Sequence, residues 1–199
     1  MGMVSVFSTK GGVGKTLTAL NLAWWLQPAV IADTDVSQGL ADLAGLGEQF
    51  SVTRIQDLQQ VRAVLDNVKG LALVDCGGFD SDINRYVLAL SDVILIPTSM
   101  TPPEQLGLMA TSRVLAAISQ ATGKKLQGHV VINNVHPRVC DFSVIDELAA
   151  AAGNLSVMKP VIPRSASIPA ASYSGAHVGG GEVASRYQVL AKNIIANIP

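Results

Sequence analysis

Charge is scarce in this chain of 199 residues. Asp, Glu, Lys and Arg make up 15% of it, and 14 basic residues nearly cancel 15 acidic ones, leaving a net charge of −1. That balance gives no global attraction to nucleic acid or to an anionic membrane, so any basic patch must be local. Cysteine is nearly absent. Cys76 and Cys140 are too few and too far apart for a disulfide framework or a Cys-rich metal centre, which favours a reducing, cytoplasmic setting. No apolar run approaches the ~20 residues of a membrane span. The run Met1 to Phe7 breaks at once into Ser8-Thr9-Lys10-Gly11-Gly12, with neither the basic start nor the length of a secretory signal. A soluble protein is expected, with no internal repeat and no low-complexity tract.

What the chain does have is a high apolar content, 49%, arranged in short runs. These are Met3 to Phe7, Ala29 to Ala32, Leu71 to Val74, Val93 to Ile96, Val130 to Ile132 and Val157 to Ile162. Each is nearly continuous rather than alternating, as expected for strands covered on both faces of a mostly parallel sheet. Between them, Thr16 to Leu26, Asp57 to Val68, Ile83 to Leu90, Pro103 to Gln120 and Ser143 to Ala152 read as helices. The alternation predicts a doubly wound α/β fold, a mostly parallel sheet with helices on both faces, in one domain spanning 1–199. Glu182 to Ile198 places Val183, Tyr187, Leu190, Ile194 and Ile198 at helical spacing, which predicts a closing amphipathic helix packed on the sheet. The glycine-rich stretch Ser172 to Gly181 reads as a mobile loop or one that orders on ligand binding. Trp24 and Trp25 point in different directions around the first helix, so at least one is expected in the core.

Chemistry concentrates in Lys10-Gly11-Gly12-Val13-Gly14-Lys15-Thr16, directly after the first strand and before the first helix. Glycines let a backbone fold tightly around phosphates with its N–H groups inward, at the positive end of a helix. Against standard Walker A spacing, Gly14-Lys15-Thr16 is intact while Thr9 holds the place of the leading glycine. Lys15 is expected at the β and γ phosphates and the Thr16 hydroxyl at Mg²⁺. The second strand ends in Asp33-Thr34-Asp35, two carboxylates where open α/β sheets put their ligands. Leu71 to Asp75, followed by Cys76-Gly77-Gly78, has the Walker B form. Asp75 is then expected at a Mg²⁺-bound water, with the glycines letting the next loop approach the γ-phosphate.

The extra Lys10 makes this box resemble the deviant Walker A of the ParA/MinD family, within the P-loop NTPase fold. The resemblance implies a Mg²⁺-dependent ATPase cycling between ATP and ADP. In that family the first lysine crosses a homodimer interface to the partner's nucleotide. On this basis Lys10, Lys15 and Asp35 are catalytic, Asp35 holding the attacking water. Thr16, Asp33 and Asp75 stand at the metal. Gly11, Gly12, Val13, Gly14, Lys15, Thr16 and Leu17 contact nucleotide, as do Asn133 and Asn134 at the adenine edge and Pro163 and Arg164 in the closing loop. Similarity continues through Ser91 to Pro97 and Thr98 to Gln105, which look like the strand and loop of the second switch region. One departure stands out: after Asp35 the usual Pro-Gln is replaced by Val36-Ser37, with Gln38 one residue late.

The box begins at residue 10, leaving no room before it for a helix-turn-helix, so the chain resembles the small ParA-type plasmid partition proteins. That implies a homodimer with ATP, non-specific DNA as its surface, nucleoid association, and a ParB-type or other partner that stimulates hydrolysis. A DNA face would draw on Lys124, Lys125, Arg138, Lys159, Arg164, Arg186 and Lys192. The alternative is a MinD-like membrane regulator, which the final helix, with only Arg186 and Lys192, disfavours. A metal-cluster ATPase lacks its cysteines, and a tyrosine-kinase relative its terminal tyrosine cluster. His129, His136 and His177 show no metal-ligand spacing and read as structural or exposed.

Overall fold

The computed structural model describes residues 2–199. Seven strands, β1 (Gly2–Val6), β2 (Val30–Asp33), β3 (Thr53–Arg54), β4 (Leu71–Asp75), β5 (Val93–Thr98), β6 (Gly128–Ile132) and β7 (Leu155–Val157), form one sheet. Their order is β3-β2-β4-β1-β5-β6-β7, and every pairing is parallel. Eight helices connect and cover them: α1 (Lys15–Leu26), α2 (Gly39–Ala44), α3 (Leu58–Leu65), α4 (Asp82–Leu90), α5 (Pro102–Thr122), α6 (Ser143–Ala152), α7 (Ser167–Ser172) and α8 (Gly181–Ala196).

Continuous apolar runs become central strands because both faces are covered. Along β1, Met3 and then Phe7 just beyond it face a cluster built with Val61, Leu88, Leu115 and Ile145, from α3, α4, α5 and α6. Val4 and Val6 face the opposite cluster, with Leu20, Leu40, Ile168 and Leu190 from α1, α2, α7 and α8. This is the period-2 alternation of a strand, with apolar packing on both sides. Each fully buried leucine contributes about 1.5–3 kcal/mol of transfer free energy. The closing helix is committed to this core: Val183, Tyr187, Leu190 and Ile194 are all buried.

Helix ends follow local chemistry. The Asp57 side chain accepts from Gln60 N–H at 2.8 Å and the Ser81 hydroxyl from Asn84 N–H at 3.2 Å, capping α3 and α4. Two prolines open α5, where their missing N–H costs nothing. It begins at Pro102, so residues 99–101 alone separate it from β5 and Gln105 is already helical.

Two expectations change. The run 157–162 is not one strand: β7 ends at Val157, Met158 and Ile162 N–H still donate to Val130 O and Ile132 O of β6 at 2.8 Å, and further on Val135 and Pro163 form an isolated bridge. Pro160 and Pro163 have no N–H to donate to a ladder. Neither tryptophan is fully buried. Trp25 packs partly against the α1–α8 side, and Trp24, 40% exposed, stacks on His177 at 4.2 Å between ring centroids. The loop after Ser172 is tied to neighbouring elements: Val178 N–H donates to Asn21 Oδ1 at 2.9 Å and His177 N–H to Gln49 Oε1 at 3.1 Å.

Candidate functional site

Strand order decides what meets. β4 lies between β1 and β2, and the register sets Val6, Asp75 and Asp33 level with one another. The glycine-rich loop after β1, the Cys76-Gly77-Gly78 segment after β4 and the Asp33-Thr34-Asp35 segment at the end of β2 therefore converge at the carboxyl edge of the sheet, where parallel α/β folds bind ligands.

Gly14 sits at φ 90°, a left-handed conformation that glycine adopts without strain. A Cβ there would also stand 2.5 Å from Asn133 Nδ2. α1 starts at Lys15 with no acidic residue in its first turn, so the positive end of its dipole and its free N–H groups stay available to an anion. Lys15 is buried, and a Cβ on Gly78 would lie 3.2 Å from its Nζ. The loop after β4 can thus approach the lysine because it carries no side chain there.

Thr9 anchors the other end of the loop to α5. Its N–H donates to Thr111 Oγ1 at 3.1 Å and its hydroxyl to Gly107 O at 3.1 Å. Lys10 follows, half-buried, with its ammonium 3.3 Å from the Gly11 carbonyl. It meets no carboxylate among the described residues.

The three aspartates differ in their engagements. Both Asp75 oxygens are buried without a hydrogen-bond partner, and burial pushes this carboxyl up to about 8. The Thr16 hydroxyl is near enough to oppose that rise, without hydrogen-bond geometry to either oxygen. A buried, unpaired carboxylate beside a hydroxyl fits a hydrated divalent cation. Asp33 is more occupied: its oxygens accept from Asp35 N–H and Ala41 N–H, both at 3.0 Å, while burial raises its pKa. Asp35 is half-buried, and one oxygen accepts from the Ser37 N–H and hydroxyl, both at 2.9 Å. The altered segment after Asp35 therefore supplies its own clamp. Gln38 adopts φ 51° and accepts from Arg54 at 2.7 Å. Burial pushes the Cys76 thiol well above its usual range, so it packs as a small apolar side chain.

Asn133 does not project freely from β6. Its amide is buried and donates to Val13 O at 3.1 Å, bracing the phosphate loop. Asn134 is exposed at φ 57° and accepts from Arg164 Nε at 3.3 Å. These two residues, with Val13, Leu17, Pro169 and Tyr187, border a largely apolar pocket of about 440 Å³ beside the loop. Pro163 falls outside it, bridged to Val135 and lining a neighbouring depression. Sequence reasoning missed the α7 contribution, Ile168 and Pro169, and the pocket role of Tyr187. A six-residue helix leaves too little periodicity to read.

The basic residues do not share one face. Lys124 donates to Ala89 O at 2.9 Å and Ser91 O at 3.2 Å, past the end of α4 and at the edge of the sheet opposite the phosphate loop. Arg186 pairs with Glu182 at 2.9 Å and lines the depression that holds His136 and Pro163, whereas Arg164 lines the pocket beside the phosphate loop. Lys159 lies over the ring of Phe142, which lines the same depression. His129 and His177 are half-buried and His136 exposed, none within a metal-binding group. No helix among the described residues is long and apolar enough to cross a membrane.

Protein ParA of Rhizobium radiobacter is 25% identical over 150 residues, 70% of this chain and 67% of that protein. McdA of Cyanothece shares the fold in both its apo and ATP-bound structures. The two are 16% and 15% identical, cover 98% of this chain and 99% and 96% of theirs, and superpose with TM-scores of 0.78 and 0.77. MinD of Pyrococcus horikoshii, complexed with Mg-ADP, is 17% identical, covers 97% of this chain and 95% of its own, and has a TM-score of 0.72. The family model for the CobQ/CobB/MinD/ParA nucleotide-binding domain matches residues 4–178, and the chain belongs to that ParA/MinD family of ATPase-type domains.

Proposed function

We propose that this chain is a partition-type ATPase acting as one domain over residues 1–199. It binds ATP with Mg²⁺, closes into a homodimer, holds DNA without sequence preference in that state, and separates when a ParB-type partner stimulates hydrolysis. One observation carries the reading. The phosphate loop, Asp75 and Asp35 stand together at three adjacent strand ends, beside a lysine, Lys10, that pairs with no carboxylate among the described residues.

The residues divide the work by position. The amides of Gly11 to Thr16 and the Lys15 ammonium hold the β and γ phosphates. Thr16 and Asp75 hold the hydrated cation, which neutralises charge on the phosphate oxygens when bound. Asp33 supports them indirectly, since its carboxylate fixes the start of α2 and the turn at Asp35. Asp35 orients the attacking water with the oxygen that Ser37 leaves free. Lys10 reaches the partner's nucleotide. Leu17, Asn134 and Arg164 border the nucleoside, while Asn133 acts through the loop it braces.

For DNA, Arg186 in the depression beside Pro163 and Lys159 over its Phe142 wall supply phosphate contacts, and Lys124 belongs to a separate structural role. The buried stripe of α8 favours this surface over a membrane, because the helix face that an anchor would use lies in the core. A cytoplasmic, nucleoid-associated location follows from that assignment.

The test is binding of the Asp35→Ala protein to a fluorescent non-specific duplex with ATP, ADP or no nucleotide across a salt series. Tight binding with ATP alone, weakening steeply as salt rises, is expected. Absence of DNA binding beside an ATP dimer in the same sample overturns the DNA assignment.

A further inference from the structure

We infer that Asn84 is a positioning residue that joins the two loops at the phosphate end of the sheet, so that a displacement of one is carried to the other. It lies in the first turn of α4, is 1% exposed, and touches neither the phosphate loop nor Lys15 by hydrogen bond. Its amide nitrogen donates to Phe79 O at 2.7 Å and to Gly77 O at 3.1 Å, both in the segment after β4. Its amide oxygen faces the other way and accepts from the Thr34 hydroxyl at 3.3 Å. Two carbonyls on one side and a hydroxyl on the other set which amide atom points where.

Thr34 stands between Asp33 and Asp35 and is itself buried. Its N–H donates to Asp75 O at 2.9 Å, and its single hydroxyl hydrogen is shared between Asn84 Oδ1 at 3.3 Å and Asp75 O at 3.2 Å, so the hydroxyl bridges the two acceptors. The chain of contacts therefore runs from the Asp-x-Asp segment through Thr34 and Asn84 to Gly77 and Phe79, with no water-exposed member between Thr34 and Gly77. The loops also touch directly, since a Cβ on Gly77 would stand 3.4 Å from the Asp35 Cα.

A buried amide in this position acts as a coupling, because movement of either loop away from Asn84 strands a donor or acceptor where water cannot replace it. The base of the link is held still: Asn84 N–H is capped by Ser81. The far end is a ready output, because Phe79 is 49% exposed on the segment that Asn84 holds. The proposed function enters only in what the loops sense, namely the γ-phosphate; the mechanical link stands on the hydrogen bonds alone.

The experiment is amide hydrogen exchange on the nucleotide-free protein, comparing wild type with Thr34→Val, Thr34→Ser, Asn84→Ala and the double variant Thr34→Val/Asn84→Ala. Thr34→Val keeps the shape, removes the hydroxyl and touches neither Gly77 nor Phe79. It is expected to speed exchange at residues 77–79 by about tenfold, the effect of one buried hydrogen bond. Thr34→Ser, which restores the hydroxyl, should stay within about twofold of wild type on the same ground. The double variant should exchange no faster there than Asn84→Ala alone. Wild-type exchange at 77–79 in Thr34→Val overturns the coupling, as does equal loosening in Thr34→Ser. If Asn84→Ala does not fold, the Thr34 pair decides. Failure of wild-type protein to turn over ATP would refute the ATPase reading without touching this result.

Discussion

Replacing Asp75 with Asn should change how stability depends on pH more than any other single substitution in the site. Both carboxylate oxygens are buried with no hydrogen-bond partner, and desolvation is the largest cause of a pKa near 8 against an ordinary 3.8. The nearby Asp33 carboxylate raises it further, while Thr16 and Lys15 oppose the rise. Between those two values the folded protein holds a proton that the unfolded chain has released, so stability falls as pH rises through this window. From pH 5 to pH 8 the loss is on the order of 3 kcal/mol, taking 1.36 kcal/mol for each unit of displaced titration. An amide at this position cannot ionise, so the Asp75→Asn variant should lose that much less over the same interval. Urea unfolding across pH 5–8, with chelator and without nucleotide, measures both slopes. Mg²⁺ with ADP should recover stability at pH 8 in wild type and not in the variant. Parallel pH curves for the two proteins would refute the claim that Asp75 is a desolvated, unpaired carboxylate.

Three further outcomes follow from single contacts. Lys10→Ala should leave ADP affinity within about twofold while preventing ATP-driven dimerisation in sedimentation velocity, because the Lys10 ammonium makes a single long contact, 3.3 Å to the Gly11 carbonyl, with its own loop. Asn133→Leu removes the brace to Val13 O and should weaken ADP binding about tenfold by calorimetry. Ser81→Ala removes the α4 cap and should cost about 1 kcal/mol in urea unfolding.

The site is legible in the sequence where one stretch of chain carries the chemistry. A phosphate-binding glycine loop acts through its own backbone, so Lys10 to Thr16 can be proposed from spacing alone. Asp33 and Asp75 can be placed at strand ends, yet their meeting depends on β4 inserting between β1 and β2, which no local pattern records. The same limit hides Asn84, an ordinary polar residue until α4 brings it between two loops. Asn133 reads as a base contact from the family resemblance at a strand end; it borders the pocket, and what the sequence hides is that its amide nitrogen also donates to Val13 O, 120 residues away. Short elements are lost for another reason. The two-residue β3 and the six-residue α2 and α7 have no periodicity to detect. The apparent strand at 157–162 fails because hydropathy cannot register the donors that proline lacks.

Phosphate release by the wild-type protein, with Mg²⁺-ATP against ATP plus chelator and against Lys15→Ala, tests most directly whether these strand ends form an ATP-hydrolysing site. The account predicts slow turnover that requires Mg²⁺ and disappears in Lys15→Ala. Release at the same rate in chelator, or in Lys15→Ala, would contradict it.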